Sequence, residues 1–178
     1  GFGCAHKATS YQPSSGNAGG ALTNLAGSET GSFELVDHGL VPMVLIPSLA
    51  LADRYRFLLS WADPLWKPTK DQAVAALAMV PSLLVTNRPE AVAVVSKSNA
   101  RYLSRLRDGF TNEVCQVVGV TIDREKGIWL NFLPNNDSFS ENWRTRFVQV
   151  YDGGPRYWSV VYLPSRGEFT SLQIDKGF

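Results

Sequence analysis

Between Val114 and Ile174 a series of short apolar or β-branched runs is separated by connections of only a few polar, Gly or Pro residues, and this spacing constrains the fold more than any other feature of the chain. A helical crossover needs a dozen or more residues, so runs joined this tightly pair antiparallel. The predicted strands are Val114–Ile122, Ile128–Leu133, Trp143–Tyr151, Tyr157–Leu163 and Glu168–Ile174. Asp123–Gly127, Pro134–Ser138, Asp152–Pro155 and Pro164–Gly167 are the predicted turns, rich in residues that preset or tolerate turn geometry. The region is predicted as a β-meander of about five strands.

Side chains alternate across a strand. One predicted face carries Val148, Val150, Trp158, Val160, Tyr162, Leu172 and Ile174, and the other Phe147, Tyr151, Tyr157, Val161 and Phe169. A sheet with one wet face shows a cleaner apolar/polar alternation. Both faces are therefore expected to be covered, or the sheet to curl around a cavity.

The preceding chain supplies the cover. Phe33–Leu49 contains Pro42 and Pro47, which forbid a regular helix and disfavour a central strand, so it reads as an extended edge segment over the sheet. Ala50–Trp61 has helical periodicity, ended by Pro64. Thr69 and Gln72 match a capping box that opens an apolar helix over Ala73–Val80, with Pro81 as its stop. Asn87–Glu90 is a second box-like start. Its helix is predicted to run to about Arg107, with Gly109 as C-terminal cap and Ala91, Val94, Val95, Ser98, Tyr102 and Leu106 as the buried stripe. Helices segregated ahead of strands argue for α+β.

Residues 1–32, rich in Gly, Ser, Ala, Thr and Asn, read as a flexible leader, and 33–178 as a single α+β domain. With 19% charged residues and a formal net charge of +1, nothing points to nucleic acid. No apolar run approaches the roughly 20 residues of a membrane span. The first residue is Gly rather than Met, which suggests removal of a preceding segment, by processing or by the way the chain was designed for expression. Cys4 invites three readings: a lipidated cysteine anchoring the protein to a membrane, a disulfide with Cys115, or a tail thiol beside an inert, buried Cys115. Together these features suggest an exported protein, periplasmic or outer-membrane-associated in a bacterium.

The search for chemistry returns little. His6 and His38 are the only histidines, and no HExxH, CxxC, Walker or Gly-x-Ser-x-Gly pattern occurs. No metal, cofactor or catalytic residue is assigned. Asp152 could serve as a general base in a pocket, but as first residue of an Asp-Gly-Gly turn its ordinary role is to bond the turn's own amides. Glu113, Asp123, Glu125, Glu141 and Glu168 fall at strand ends or turns, where a solvated carboxylate is the default. Trp129, Phe147, Tyr151, Asp152, Tyr157 and Trp158 mark a candidate ligand or partner surface, against a plain role in core and rim packing. Lys97, Arg101 and Arg105, four residues apart, form a basic helical stripe: a solvated face, or a docking strip for an anionic partner.

Helices first, then a meander with the Tyr-Asp-Gly-Gly turn at Tyr151 and the closing runs Tyr157–Leu163 and Glu168–Ile174, is similar in order to the cone-shaped NTF2-like and cystatin-like folds over residues 69–174. That superfold hosts binding proteins, scaffold parts and some isomerases or dehydratases, so the resemblance fixes no function. Its enzymes usually rely on His and Asp in the cone, and the meander here lacks His. The functional expectation is an exported, non-catalytic binding or assembly component engaging a protein partner or a small apolar ligand. The alternative is a small-molecule binder or His-free acid–base enzyme with a pocket in a curved sheet.

Overall fold

The computed structural model describes residues 32–37, 39–47, 64–85, 97–135, 142–150 and 152–175, with backbone alone for 97–101. The predicted leader, the Ala50–Trp61 helix and the Asn87 box lie outside the described residues. Among those described, the strands are β1 (Glu34–Val36), β2 (Met43–Leu45), β3 (Glu113–Ile122), β4 (Glu125–Pro134), β5 (Trp158–Leu163) and β6 (Glu168–Ile174). The helices are α1 (Lys70–Val85) and α2 (Lys97–Gly109), followed by a 3-10 turn, Phe110–Asn112. The strands form one six-stranded sheet in chain order. β3 pairs antiparallel with β4 and β5 with β6, as their short connections require; β4 pairs antiparallel directly with β5 across the long connection 135–157, where a further strand was expected, and β2 pairs parallel with β3. The architecture is α+β with a mixed, mostly antiparallel sheet.

Phe33–Leu49 is thus not a cover over the sheet. It supplies β1 and β2, and β2 is an interior strand buried along its length. Pro42 and Pro47 flank β2 rather than interrupt it, so neither removes a donor from within the strand. Beyond β2, Trp66 continues the pairing: its N–H donates to Gly119 O at 2.9 Å, and its indole Nε1 to Val120 O at 2.8 Å. Gly119 makes this approach feasible, since a Cβ there would lie 2.3 Å from Trp66 O.

The hairpin between β3 and β4 turns on Asp123 and Arg124, both at positive φ, in the two-residue form that matches strand twist. Gly127 and Pro134, expected in turns, therefore belong to β4. Between β5 and β6, Ser159 pairs with Gln173 but Val161 with Thr170, so β6 carries one extra residue. Ser171 takes positive φ there. The bulge places Phe169 on the same face as Leu172, contrary to strict alternation.

Helix α1 begins at the predicted capping box: Gln72 N–H donates to Thr69 Oγ1 at 3.3 Å, and Thr69 N–H to Gln72 Oε1 at 2.9 Å. Such a cap contributes about 1 kcal/mol. Pro81 does not stop the helix, which runs a further turn to Val85, where Leu83 and Leu84 are buried. The apolar contact offsets the lost amide. Gly109 is not a left-handed cap. At φ −95° it leads directly into the 3-10 turn.

One face of the sheet packs on the helices through Cys115, Val117, Leu130, Phe132, Trp158 and Val160 against Ala73, Leu77, Val80 and Leu106. The opposite face carries Val114, Val118, Trp129 and Val161. Its cover is the largest departure from expectation. The stretch predicted as the strand Trp143–Tyr151 is not a strand where it is described; residues 142–150 run as turns and irregular chain, with Trp143 and Phe147 buried against the sheet. Gln116 explains why. Its side-chain Nε2 donates to Trp143 O at 2.8 Å and to Arg146 O, and its Oε1 accepts from Val148 N–H at 2.9 Å. Asn131 Nδ2 adds a bond to Val148 O at 2.8 Å. Side-chain amides thus satisfy backbone groups that a ladder would otherwise pair.

Candidate functional site

The 3-10 turn delivers the chain into β3 at Glu113, on the helix-covered face with Cys115 and Val117. Two strands away, Trp158 opens β5 on the same face, and its ring stacks on Phe132 at 4.0 Å between centroids, with 11° between planes. The stack directs the indole Nε1 at Glu113, whose Oε2 accepts at 2.9 Å. Glu113 is only 4% exposed. It borders a cavity of about 490 Å³ whose wall includes Arg105, Leu106 and Gly109 of α2, and Pro155 and Arg156 of the loop before β5.

Removing a carboxylate from water disfavours its charged form. Burial pushes the Glu113 carboxyl up to about 8, with the Trp158 hydrogen bond and the Arg156 charge acting the other way. At neutral pH the group is mostly a neutral acid, able to donate a proton into a hydrogen bond as well as accept one. The expectation of a solvated carboxylate at position 113 is therefore corrected: the alternation of β3, carried back one residue, places it with Cys115 and Val117. That periodic signal was available in the sequence. Its proximity to Trp158 across β4 was not.

A second recess, of about 240 Å³, opens on the opposite face of the sheet at the same end. It brings together four of the predicted surface residues, Trp129, Asp152, Tyr157 and Trp158, beside Asn131 and Gln173. Phe147 packs on Trp129 at 5.6 Å instead of bordering the recess, and Tyr151 lies outside the described residues. Trp158 borders this recess although its indole belongs to the other face.

The loop between the two recesses is fixed by Asp175, whose Oδ2 accepts from Gly153 N–H at 2.7 Å. Asp152 and Gly154 take positive φ there, as expected of an Asp-Gly-Gly turn, but the turn joins irregular chain to β5 rather than two paired strands.

Of the basic stripe, Arg105 is exposed and borders the Glu113 cavity; Lys97 and Arg101 are described by their backbone alone. Cys115 is a wholly buried free thiol, pushed well above its ordinary range by burial and further by neighbouring Glu113. A thiol held protonated in this way is a poor nucleophile. Cys4 lies outside the described residues. Among the described residues no three His, Cys, Asp or Glu side chains gather as a metal site, and no helix is long and apolar enough to cross a membrane.

Compared with known proteins, the chain matches no family model, no curated protein and no solved structure.

Proposed function

We propose that this protein binds a small organic ligand in the cavity between α2, the start of β3 and the loop before β5, with Glu113 as a hydrogen-bonding group in its wall. The observation that carries the reading is a buried carboxyl at the edge of a cavity, with the Trp158 indole as its hydrogen-bond partner among the described residues. A carboxyl that serves packing alone is costly to bury, and a Gln or Leu would fill the position with less penalty. Ionisable groups perturbed by burial and facing a cavity are characteristic of binding and reaction sites. The volume falls within the ~300–1,000 Å³ typical of small-molecule pockets.

Export and an envelope role remain a separate proposal resting on residues 1–32, and ligand binding does not depend on it.

Gly109 provides the test. It borders the cavity and has an ordinary φ, and the space within 4 Å of the point where a Cβ would stand is open. Gly109→Trp would obstruct the cavity while sparing the core. A panel of fragment-sized acids, amides and alcohols is screened by ligand-observed NMR. Binding of panel members to the wild type, abolished in a folded Gly109→Trp, is expected. No binding, or binding indifferent to Gly109→Trp, would overturn the reading.

A further inference from the structure

We infer that the recess on the sheet face away from the helices binds a short, uncharged peptide-like ligand, of one or two amide units, on a polar row formed by Asn131, Ser159 and Gln173. Gln116, Asn131, Ser159 and Gln173 stand directly opposite one another, strand to strand, across β3, β4, β5 and β6. Residues paired in this way share a face, with Cβ atoms about 5 Å apart. The face is otherwise apolar, with Val118, Trp129 and Val161 beside the row. Polar side chains in line across such a face require hydrogen-bond partners.

The first half of the row holds peptide groups of the chain itself. Gln116 donates to the carbonyls of Trp143 and Arg146 and accepts from the N–H of Val148, and Asn131 Nδ2 donates to Val148 O. The second half has no such occupant. Among the described residues the Asn131 Oδ1, the Ser159 hydroxyl and the Gln173 side-chain amide take no hydrogen bond, although Asn131 and Ser159 are only 7% and 6% exposed. All three residues border the recess. They repeat the chemistry of the filled half: Asn131 Oδ1 accepts from an amide N–H, and the Ser159 hydroxyl or the Gln173 amide donates to a carbonyl. The volume of about 240 Å³ is less than the ~300–1,000 Å³ of ordinary small-molecule pockets, which limits the ligand to one or two amide units. Asp152 and Asp175 also border the recess, and their carboxylates disfavour an anion.

The probe is N-acetylglycine N-methylamide, titrated into the whole nitrogen-15-labelled chain and followed by the side-chain amide resonances of Asn131 and Gln173. Saturable shifts at both are expected. Affinity is expected to fall about fivefold in Ser159→Ala and in Gln173→Ala, each checked for fold by circular dichroism. Should Ser159→Ala unfold, Gln173→Ala on the exposed edge strand decides. N-acetylglycine methyl ester, which lacks one N–H, is expected to bind about fivefold more weakly than the amide. Gly109→Trp, which obstructs the Glu113 cavity, is expected to leave binding of the amide unchanged. No saturable shift, ester binding as tight as that of the amide, or affinity indifferent to both substitutions would overturn the inference. Tighter binding of methylammonium at the same residues would overturn it as well. Loss of amide binding in Gly109→Trp would place the ligand in the Glu113 cavity, overturning this inference while supporting the reading of that cavity as a pocket.

Discussion

The indole Nε1 of Trp158 donates to Glu113 Oε2 at 2.9 Å, joining the first residue of β5 to the first residue of β3 across the intervening β4. The bond lies at the edge of a cavity instead of inside the packed core. It links the ring stack on Phe132, which fixes the indole, to the protonation state of a carboxyl that faces the cavity.

Trp158→Phe keeps an aromatic ring against Phe132 and deletes the donor. Because that hydrogen bond lowers the Glu113 pKa, its loss raises the pKa further. The variant is expected to lose about 1–2 kcal/mol in urea denaturation at pH 7. Its pH-dependent loss of stability should begin at the same pH as in the wild type but continue to higher pH before levelling off.

Glu113→Gln isolates the cost of the charge. The folded-state pKa of about 8 lies above the ordinary 4.5, so between those values the native state holds a proton that the unfolded chain has lost. Stability therefore declines as pH rises through this window and levels off above pH 8. At about 1.4 kcal/mol per pK unit, the full decline is on the order of 4–5 kcal/mol. The Gln variant should lack this decline and be more stable than the wild type at pH 8.5, as measured by denaturant midpoints across the pH range.

Gln116→Leu removes the amide that holds the 142–150 segment to the sheet. Trp143 O and Val148 N–H each lose a buried or half-buried partner. A loss of about 2–3 kcal/mol is expected. Hydrogen exchange at the Val148 amide should accelerate by more than tenfold, while amides at the centre of β3 and β4 change only with global stability.

Gly119→Ala would bring a Cβ to 2.3 Å from Trp66 O and 2.5 Å from its ring. Trp66 must move, and with it both hydrogen bonds to β3. Calorimetry should show a loss of about 1–3 kcal/mol. Gly109→Ala, at a right-handed φ with open space around it, should be neutral or stabilising by up to about 1 kcal/mol.

The local features of this fold were legible in the sequence. The alternation and short connections of β3 with β4 and of β5 with β6 specified antiparallel pairing, whereas β4 meets β5 directly only because the run from Trp143 leaves the sheet, and Thr69 and Gln72 marked the start of α1. Three features depended on contacts distant in sequence. The run from Trp143 has strand composition, but Gln116 and Asn131 on other strands satisfy its backbone. The parallel place of β2 arises from pairing with residues some seventy positions later. The Phe169 face inverts because of a single extra residue at the Ser171 bulge. For the candidate sites, Trp129, Asp152 and Tyr157 were named from composition and border one recess. Glu113 was passed over because a strand-end carboxylate is ordinarily wet, and only the tertiary cover of α2, Trp158 and the loop before β5 makes it dry.

The most direct measurement is the carbon-13 chemical shift of the Glu113 side-chain carboxyl followed against pH, with Glu113→Gln identifying the resonance. A midpoint near pH 8, with the group protonated at pH 7, is predicted. A midpoint near the ordinary 4.5, with the group already ionised at pH 7, would contradict the account.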